Sequence, residues 1–213
     1  MSSRNRPVFI VGGLVAAGLA LLLIAMSQAG GGGAAEVAGV PQDGTSLGSR
    51  DAPVVIEEFS DFQCPYCQGF AQQTEPKIVE QYVKTGKVRF VYRHMAFIGE
   101  ESVWAAQAAE CAANQGRFWN YHDKLFANQA GENKGGFSRD RLKGLARGID
   151  LDQAKFDRCL DSNETLNRVQ QDTAEGQRRQ VRSTPTFFIN GQSVLGALPF
   201  EQFKTVIDRQ LSQ

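Results

Sequence analysis

The order of apolar and polar residues predicts a strand, a helix and a second strand at the start of the folded region. Val54–Phe59 is a β-branched and aromatic run that follows a proline, as expected of a buried strand. Apolar residues then recur at helical spacing from near Cys64 until Gly86, and Pro76 predicts a kink within this helix. Val88–Tyr92 is the second strand, so the two strands should be parallel neighbours joined by a right-handed crossover.

A block of helices follows this unit, and a hairpin and a last helix end the chain. Helical spacing continues to about residue 180, with helices expected at residues 102–115, 118–128, 138–148, 151–162 and 164–180. Thr186–Ile189 and Ser193–Leu195 flank Asn190–Gly191, a strong signal for a hairpin turn. Phe200–Leu211 has the apolar face of an amphipathic helix.

An uncharged apolar run lies near the N-terminus. Val8–Met26 contains 19 residues, and at about 1.5 Å per residue a helix of this length nearly spans a bilayer core of about 30 Å. Arg4 and Arg6 precede the run, which directs the following chain to the extracytoplasmic side. We therefore interpret residues 1–29 as a transmembrane anchor of a single-pass protein of the cell membrane. The alternative is a signal sequence cleaved at Ser27–Ala29, which would give a secreted or periplasmic protein.

The composition of the remaining chain indicates a folded domain behind a linker. Residues 30–50 are rich in glycine and have few large apolar side chains, so we expect a flexible tether. Residues 51–213 are expected to form one α/β domain, with a helical insertion at about residues 98–180. The chain is 42% hydrophobic and has 23 basic and 23 acidic residues, so it has no net charge that would attract nucleic acid.

Two cysteines lie close together where the first strand ends and the helix begins. Cys64 would face unpaired N–H groups and the positive end of the helix dipole, which both favour a thiolate. Pro65 suits the first helical turn because it has no N–H group to satisfy. The spacing brings Cys67 within disulfide reach of Cys64, one turn deeper and more buried. This C-P-Y-C motif, with Tyr66 at its third position, indicates a redox pair with an exposed attacking thiol and a shielded resolving thiol.

A zinc site and a structural bridge are the other interpretations of the cysteine pair. Zinc would need two further ligands, but no second C-x-x-C or H-x-x-x-H spacing is formed by the other candidates, His94, His122, Cys111 and Cys159. A bridge within so short a loop removes little chain entropy and would stabilise the fold only weakly. The redox interpretation accounts for the position as well as the spacing, and we expect no metal.

A proline directly precedes the strand expected at Thr186–Ile189. In Ser183-Thr184-Pro185, the proline is out of place before a central strand unless its peptide bond is cis and its missing N–H faces outward. Such a bond would expose the neighbouring backbone for pairing with an extended peptide. The alternative is an ordinary turn proline.

Taken together, these features resemble a known family. The C-P-Y-C motif at a strand-to-helix junction, the helical block and the T-P-T-F-F-I-N-G stretch are similar to DsbA-like thiol-disulfide oxidoreductases of the thioredoxin superfamily, specifically their bacterial membrane-tethered or secreted branch. The similarity runs from about Asp51 to the C-terminus. It implies a thioredoxin fold, with a central mixed sheet flanked by helices and an inserted helical subdomain, and it implies no cofactor.

The resemblance also implies roles for the site residues. Cys64 would be the nucleophile and Cys67 the resolving cysteine, with the loop of Thr184 and cis-Pro185 packed against them. Glu58 resembles the buried acid that relays protons to the resolving thiol. The alternative for Glu58 is a solvated carboxylate at the edge of the sheet.

The residue before the second cysteine departs from the strong oxidant of the family. That oxidant has a histidine there, whereas this chain has Tyr66, which cannot supply positive charge to the Cys64 thiolate. Potentials of about −120 mV for the oxidant and about −180 mV for disulfide isomerase differ by about 2.8 kcal/mol, which about two pKa units on one thiol would cover. The motif therefore does not separate an oxidase from an isomerase or a reductase.

The other two cysteines lie in the helical block. Cys111 and Cys159 each lie beside apolar residues of their helices. In an oxidising compartment we expect a structural disulfide between them, as some relatives in the family carry. The alternative is two unpaired buried thiols that behave as small apolar side chains.

The combined prediction is an extracytoplasmic thiol-disulfide oxidoreductase, a DsbA-like oxidase that exchanges disulfides with cysteine-containing exported polypeptides. The family implies a membrane redox partner of the DsbB or vitamin-K-epoxide-reductase type. A disulfide isomerase or reductase of the same fold is the alternative within this class. A tethered peptide-binding module or holdase with an inert C-x-x-C bridge is the alternative in a different class.

Overall fold

The computed structural model describes residue 37 and residues 39–213. The anchor expected over residues 1–29 lies outside this part of the chain, as does most of the first half of the expected tether. Among the described residues, no helix combines the length and the apolar character needed to cross a membrane.

A mixed sheet of six strands forms the centre of the described domain. The strands are β1 Gln42–Asp43, β2 Ser46–Leu47, β3 Val54–Ser60, β4 Val88–His94, β5 Thr186–Ile189 and β6 Gln192–Leu195. Their order is β1-β2-β4-β3-β5-β6, and β3 and β4 are parallel whereas all other neighbours are antiparallel. The parallel central pair confirms the strand, helix, strand unit expected from the apolar pattern.

The first two strands correct the expectation of a flexible tether over residues 30–50. Leu47 is fully buried and pairs with Phe90 of β4, and Ser46 is buried beside it. The tether prediction is therefore wrong over residues 42–47. Strands of two residues are too short to show an alternating pattern in the sequence, and these gain their partners from the free edge of β4.

Eight α-helices flank the sheet within the described part of the chain. They are α1 Pro65–Gln73, α2 Glu75–Ile78, α3 Glu100–Ala113, α4 Phe118–Ala127, α5 Arg139–Ala146, α6 Gln153–Asp161, α7 Leu166–Arg178 and α8 Phe200–Leu211. A π-helical turn at Val79–Val83 follows α2. The helix expected after β3 is divided at Thr74, beside Pro76, which confirms the kink that this proline predicts.

Helices α3 to α7 lie between β4 and β5 in the chain, and α7 packs directly on one face of the sheet. Gly176 allows the close approach, because a side-chain carbon there would lie 2.7 Å from the Met95 sulfur and 3.0 Å from the Phe59 ring. Just beyond α7, the guanidinium of Arg179 lies 3.7 Å from the centre of the Phe188 ring. The insertion is therefore in contact with the sheet through its last helix.

The C-terminal segment forms the expected hairpin and amphipathic helix on the other face. Asn190 and Gly191 have positive φ angles of 46° and 85°, as a tight turn between β5 and β6 requires. The ring of Phe187 in β5 lies 4.5 Å from that of Phe70 in α1 and 4.7 Å from that of Phe203 in α8. This aromatic cluster fixes α1, and hence the motif at its start, against the sheet.

A disulfide joins Cys111 of α3 to Cys159 of α6. Both residues are buried, and their sequence separation is 48 residues. The bond therefore closes a long loop that contains most of the helical insertion.

We expect the double variant Cys111→Ala, Cys159→Ala to fold with a free energy of unfolding lower by about 4 kcal/mol, the chain-entropy value for a loop of this length. Urea denaturation of the two proteins measures the difference. The matched control is the parent protein denatured in the presence of a reductant, which should lose a similar amount. A loss below about 1 kcal/mol would show that the loop is restrained without the bond.

Candidate active site

Cys64 stands at the start of α1 because Asp61 fixes the preceding loop. The N–H of Cys64 donates to the Asp61 carbonyl oxygen at 3.0 Å. The buried Asp61 carboxylate accepts the N–H of Gln63 at 2.9 Å and the Ser102 hydroxyl at 2.7 Å. Cys64 has extended backbone angles and Pro65 is the first helical residue. The free N–H groups of the first turn are thus available to the Cys64 sulfur.

The helical insertion holds the same loop from outside. The side-chain amide of Gln129 donates to the carbonyl oxygens of Phe62 at 2.6 Å and of Cys64 at 3.1 Å. The side-chain oxygen of Gln63 accepts the N–H of Asn133 at 2.7 Å. Sequence reasoning missed these amide side chains, because contacts between residues so far apart in the chain leave no local pattern.

The loop before β5 faces the Cys64 thiol. The peptide bond between Thr184 and Pro185 is cis, and the Cys64 sulfur lies 3.3 Å from the Thr184 carbonyl oxygen. The Pro185 carbonyl oxygen accepts the N–H of Gly196 at 2.9 Å, which ties this loop to the end of β6. The fold thus brings together two segments that are 120 residues apart in the chain.

The two thiols of the motif differ sharply in acidity. Cys64 and Cys67 are both free thiols in this structure. Both are buried, Cys64 with 6% of its surface exposed and Cys67 with none, so the expectation of an exposed attacking thiol is wrong. A hydrogen bond from the Cys67 thiol, helped by the Thr184 side chain and by the N–H groups of Tyr66 and Cys67, lowers the pKa of Cys64 to about 6 against the opposing effect of burial. Burial raises the pKa of Cys67 well above its usual range. The outer sulfur is therefore an anion at neutral pH while the inner one keeps its proton.

Glu58 lies on β3, on the face of the sheet that packs against α1, the helix that contains Cys67. Its side chain is fully buried, and burial, opposed by the Ser60 hydroxyl and increased by the charge on Cys64, raises the pKa of Glu58 to about 8. The alternative of a solvated edge carboxylate is thus wrong for this residue. Glu57 faces the other way, where it accepts a hydrogen bond from Arg179 at 2.7 Å.

Three large apolar side chains surround the opening of the site. Tyr66 is 70% exposed, Phe97 48% and Leu195 65%, and no other large apolar side chain of the described residues is so exposed. Tyr66 belongs to the motif, the N–H of Phe97 donates to Asp61, and Leu195 pairs with Thr186 beside the cis-proline. Sequence reasoning missed Phe97, in the loop after β4, and Leu195, at the end of β6, because a single apolar residue carries no pattern that distinguishes it from a core residue.

The histidines are engaged elsewhere. The Nε2 of His94 lies 3.1 Å from a carboxylate oxygen of Glu110, which also pairs with Arg168. In α4, the Nδ1 of His122 lies 3.0 Å from a carboxylate oxygen of Asp123. Within the part of the chain that the structure describes, no group of three or more His, Cys, Asp or Glu residues is arranged to hold a metal ion.

Two thiols held at such different acidities suit one class of enzyme, the thiol-disulfide oxidoreductases. The family profile described as thioredoxin matches residues 41–209. A probable disulfide bond formation protein D of Bacillus cereus is 31% identical over 174 residues, which cover 79% of this chain and 79% of that protein. These similarities place the chain in the thioredoxin family, as a DsbA-like thiol-disulfide oxidoreductase.

A solved structure and a longer relative complete the comparison. The crystal structure of oxidised BdbD from Bacillus subtilis has a TM-score of 0.75 and 28% identity, covering 83% of this chain and 98% of that one. A Na⁺/H⁺ antiporter NhaA 3 of Salinispora tropica is 36% identical over 162 residues, which are 75% of this chain but only 24% of the antiporter. The latter match therefore concerns a limited part of a much longer protein.

We expect iodoacetamide to alkylate the reduced protein at Cys64 with a pH midpoint of about 6, the pKa of that thiol. Cys67→Ala should raise the midpoint by about one unit or more, because it removes a hydrogen bond to a charged group. Alkylation rates followed by mass spectrometry between about pH 4 and 9 measure both. Cys64→Ala is the control and should take up no label at neutral pH. A parent midpoint near 8.5, the value of an unperturbed cysteine, would contradict this assignment.

We expect Glu58→Gln to raise the free energy of unfolding of the reduced protein, and to raise it more as the pH increases. The folded protein keeps a proton on Glu58 up to about pH 8, whereas the unfolded chain releases it near pH 4.5. Stability of the parent should therefore be full below pH 4.5 and fall by up to about 1.4 kcal/mol per pH unit until about pH 8.

Urea denaturation at about pH 5 and pH 7 tests this dependence. The matched control is Glu57→Gln on the opposite face of the same strand, which should give no gain at either pH because it removes an ion pair. An equal gain at both pH values for Glu58→Gln would contradict the raised pKa.

Proposed function

We propose that the protein is a membrane-anchored, extracytoplasmic dithiol oxidase that forms disulfides in exported polypeptides. Cys64 is the nucleophilic cysteine, Cys67 the resolving cysteine and Glu58 the proton donor to Cys67. The loop of Thr184 and Pro185 pairs with the extended substrate. The observation that carries this proposal is the placement of the two thiols. Cys64 precedes the first residue of α1 and lies 3.3 Å from the Thr184 carbonyl oxygen beside cis-Pro185, and Cys67 is fully buried within α1. This placement lowers the pKa of Cys64 and raises that of Cys67.

The oxidation proceeds in two exchanges. A substrate thiolate attacks the Cys64 sulfur of the oxidised enzyme and breaks the bond to Cys67, which leaves as a thiolate and takes a proton from the Glu58 carboxylic acid. A second substrate thiolate then attacks the substrate sulfur of the mixed disulfide, and Cys64 leaves as a thiolate. The substrate loses two electrons and gains a disulfide, and the enzyme holds the two electrons as reduced Cys64 and Cys67.

The acidity of Cys64 favours oxidation over the reverse reaction. A stabilised thiolate stabilises the reduced enzyme, and each unit by which its pKa falls makes the couple more oxidising by about 30 mV. The low pKa also makes Cys64 a good leaving group in the second exchange. The reduced enzyme then needs an electron acceptor, for which a membrane partner of the DsbB or vitamin-K-epoxide-reductase type is the proposed class.

The surroundings of the site suit an unfolded polypeptide as substrate. Tyr66, Phe97 and Leu195 present apolar surface around the reactive sulfur, where apolar side chains of an unfolded chain could be covered. A cleft of about 300 Å³ runs from Tyr66 along α1 to Leu198 and Phe200. Such a surface binds by general apolar contact and imposes little sequence preference.

The location is proposed from the sequence and from the disulfide. The apolar run Val8–Met26 has the length of a membrane span, and residues 1–29 are proposed as the anchor. The bond between Cys111 and Cys159 suits an oxidising compartment outside the cytoplasm. The relatives named disulfide bond formation protein carry the activity proposed here in their names.

The test is oxidation of a reduced, unfolded polypeptide with two cysteines by the purified oxidised protein. The parent should form the substrate disulfide, and Cys64→Ser should lose the activity. Cys67→Ser has no disulfide to transfer, so it is given the disulfide form of the substrate instead. Its Cys64 thiolate should open that bond and accumulate a mixed disulfide that is visible by mass spectrometry. Disulfide formation is followed by loss of free thiols.

The Cys111→Ala, Cys159→Ala variant is the matched control and should retain activity. A Cys64→Ser variant that still binds the polypeptide while the parent shows no turnover would favour the peptide-binding or holdase alternative. Faster turnover of scrambled disulfides or of disulfide substrates than of dithiols would favour the isomerase or the reductase.

A further inference from the structure

The central strands change from apolar to polar at the end that lies under the motif. On the face that packs against α1, β3 presents Val54 and Ile56 and then Glu58 and Ser60, all of them buried. The parallel register places Tyr92 of β4 beside Glu58 and His94 beside Ser60. The last two inward positions of both strands are therefore polar, where a sheet interior ordinarily continues with apolar side chains.

This group of four residues, Glu58, Ser60, Tyr92 and His94, forms a buried polar quartet beneath Cys67. None of them is more than 1% exposed. The neighbouring helix α4 closes the quartet on one side, since the ring of Tyr92 lies 5.4 Å from that of Phe118. The titratable groups around Ser60 are the other members of the quartet and the thiols of Cys64 and Cys67. Beyond them lie Asp61, whose charge acts on Tyr92, Glu110 of α3, which contacts His94, and His122 of α4, whose ring lies 5.3 Å from that of Tyr92.

The polar atoms of the quartet are mostly not paired within the described chain. Neither carboxylate oxygen of Glu58, nor the hydroxyl of Ser60 or Tyr92, completes a hydrogen bond of ordinary geometry to another described residue. Only His94 is held, through its contact with Glu110. Buried polar groups without such bonds are rare, and each calls for a physical reason.

The Ser60 hydroxyl is the group that the others share. Ser60 is two residues from Glu58 on the same buried face of β3, and its hydroxyl favours the charged forms of Glu58, Cys67 and Tyr92, against the burial that raises the pKa of each. One hydroxyl carries one proton and can donate it to only one acceptor at a time. Rotation about the Ser60 side chain therefore directs the donor toward whichever neighbour holds the negative charge.

We propose that Ser60 is a positioning residue for the resolving step, whose hydroxyl alternates between the Glu58 carboxylate and the Cys67 thiolate as the proton passes from one to the other. In this step the S–H bond of Cys67 breaks and its proton goes to the Glu58 carboxylate. The Cys67 sulfur then bonds to the Cys64 sulfur while a bound thiol leaves Cys64 as a thiolate. The inference rests on the roles proposed above for Glu58 and Cys67.

The test resolves the reactions of the two thiols as successive kinetic phases. Reduced protein is mixed in a stopped-flow instrument with 5,5′-dithiobis(2-nitrobenzoate), an aromatic disulfide. Cys64 attacks first and releases one coloured thiolate, and Cys67 then displaces the second from the mixed disulfide. The first phase reports on Cys64 and the second on the deprotonation and attack of Cys67.

We expect Ser60→Ala to slow the second phase about tenfold at pH 7 and to move its pH midpoint upward by about one unit, because both anions lose a donor. The first phase should keep its rate and midpoint, since Ser60 does not act on Cys64. Ser60→Thr, which restores a hydroxyl, should recover most of the second phase. Ser46→Ala is the matched control, a buried serine of β2 whose hydroxyl accepts from Arg89, and should change neither phase.

Each outcome decides the inference. An unchanged second phase in Ser60→Ala overturns it, as does an equal slowing of both phases with a lowered melting temperature, which would show general damage. If Glu58→Gln slows the second phase and Ser60→Ala does not, the inference fails while the proposed function stands. If Glu58→Gln also leaves the second phase unchanged, the proton role of Glu58 fails together with the inference.

Discussion

The placement of the Cys67 thiol beside the Cys64 sulfur is the constraint on which the chemistry of this fold depends. It exists because the helix begins at Pro65, which puts the outer sulfur at the helix end and the inner one a turn below it. One thiol stabilises its neighbour as an anion and is itself kept neutral by burial. The difference in acidity is thus a property of the pair, and a displacement of α1 along its axis would abolish it. The aromatic cluster beneath the helix, formed with β5 and α8, prevents such a displacement.

The helical insertion contributes to the site although it supplies none of the reacting atoms. Gln129 binds two carbonyl oxygens of the loop before α1, and Asn133 binds Gln63 within the same loop. Asp61 of the same loop also accepts the N–H groups of Phe97 and Ile98, so the loop is held from the segment after β4 as well as from the insertion. Gln129 and Asn133 lie in the loop between α4 and α5, within the stretch of chain that the disulfide between α3 and α6 closes.

Much of this architecture follows from the sequence, because its elements are long and periodic. The β-branched and aromatic run of β3, the apolar run of β4, the helical spacing of the insertion and the Asn190–Gly191 turn each predict a local structure that the fold contains. The C-P-Y-C motif could be interpreted for the same reason, because its chemistry depends on where β3 ends and α1 begins, and both boundaries can be predicted from the sequence. Strands β1 and β2, the amides at Gln129 and Asn133, and the apolar Phe97 and Leu195 acquire their roles only from residues distant in the chain. Ser60 belongs with them, because a serine in a strand has no special pattern until its neighbours across the sheet are known.

The depth of Cys67 has a consequence for what the protein can carry. Because this sulfur lies on the buried face of α1 and has no exposed surface, the proposed attachment through Cys64 alone requires no part of a foreign chain to enter the interior. The size of the substrate polypeptide therefore imposes no steric limit on its reaction with this thiol. A large, partly folded chain and a short peptide have to meet the same two requirements, a free thiol and a few flexible residues on either side of it.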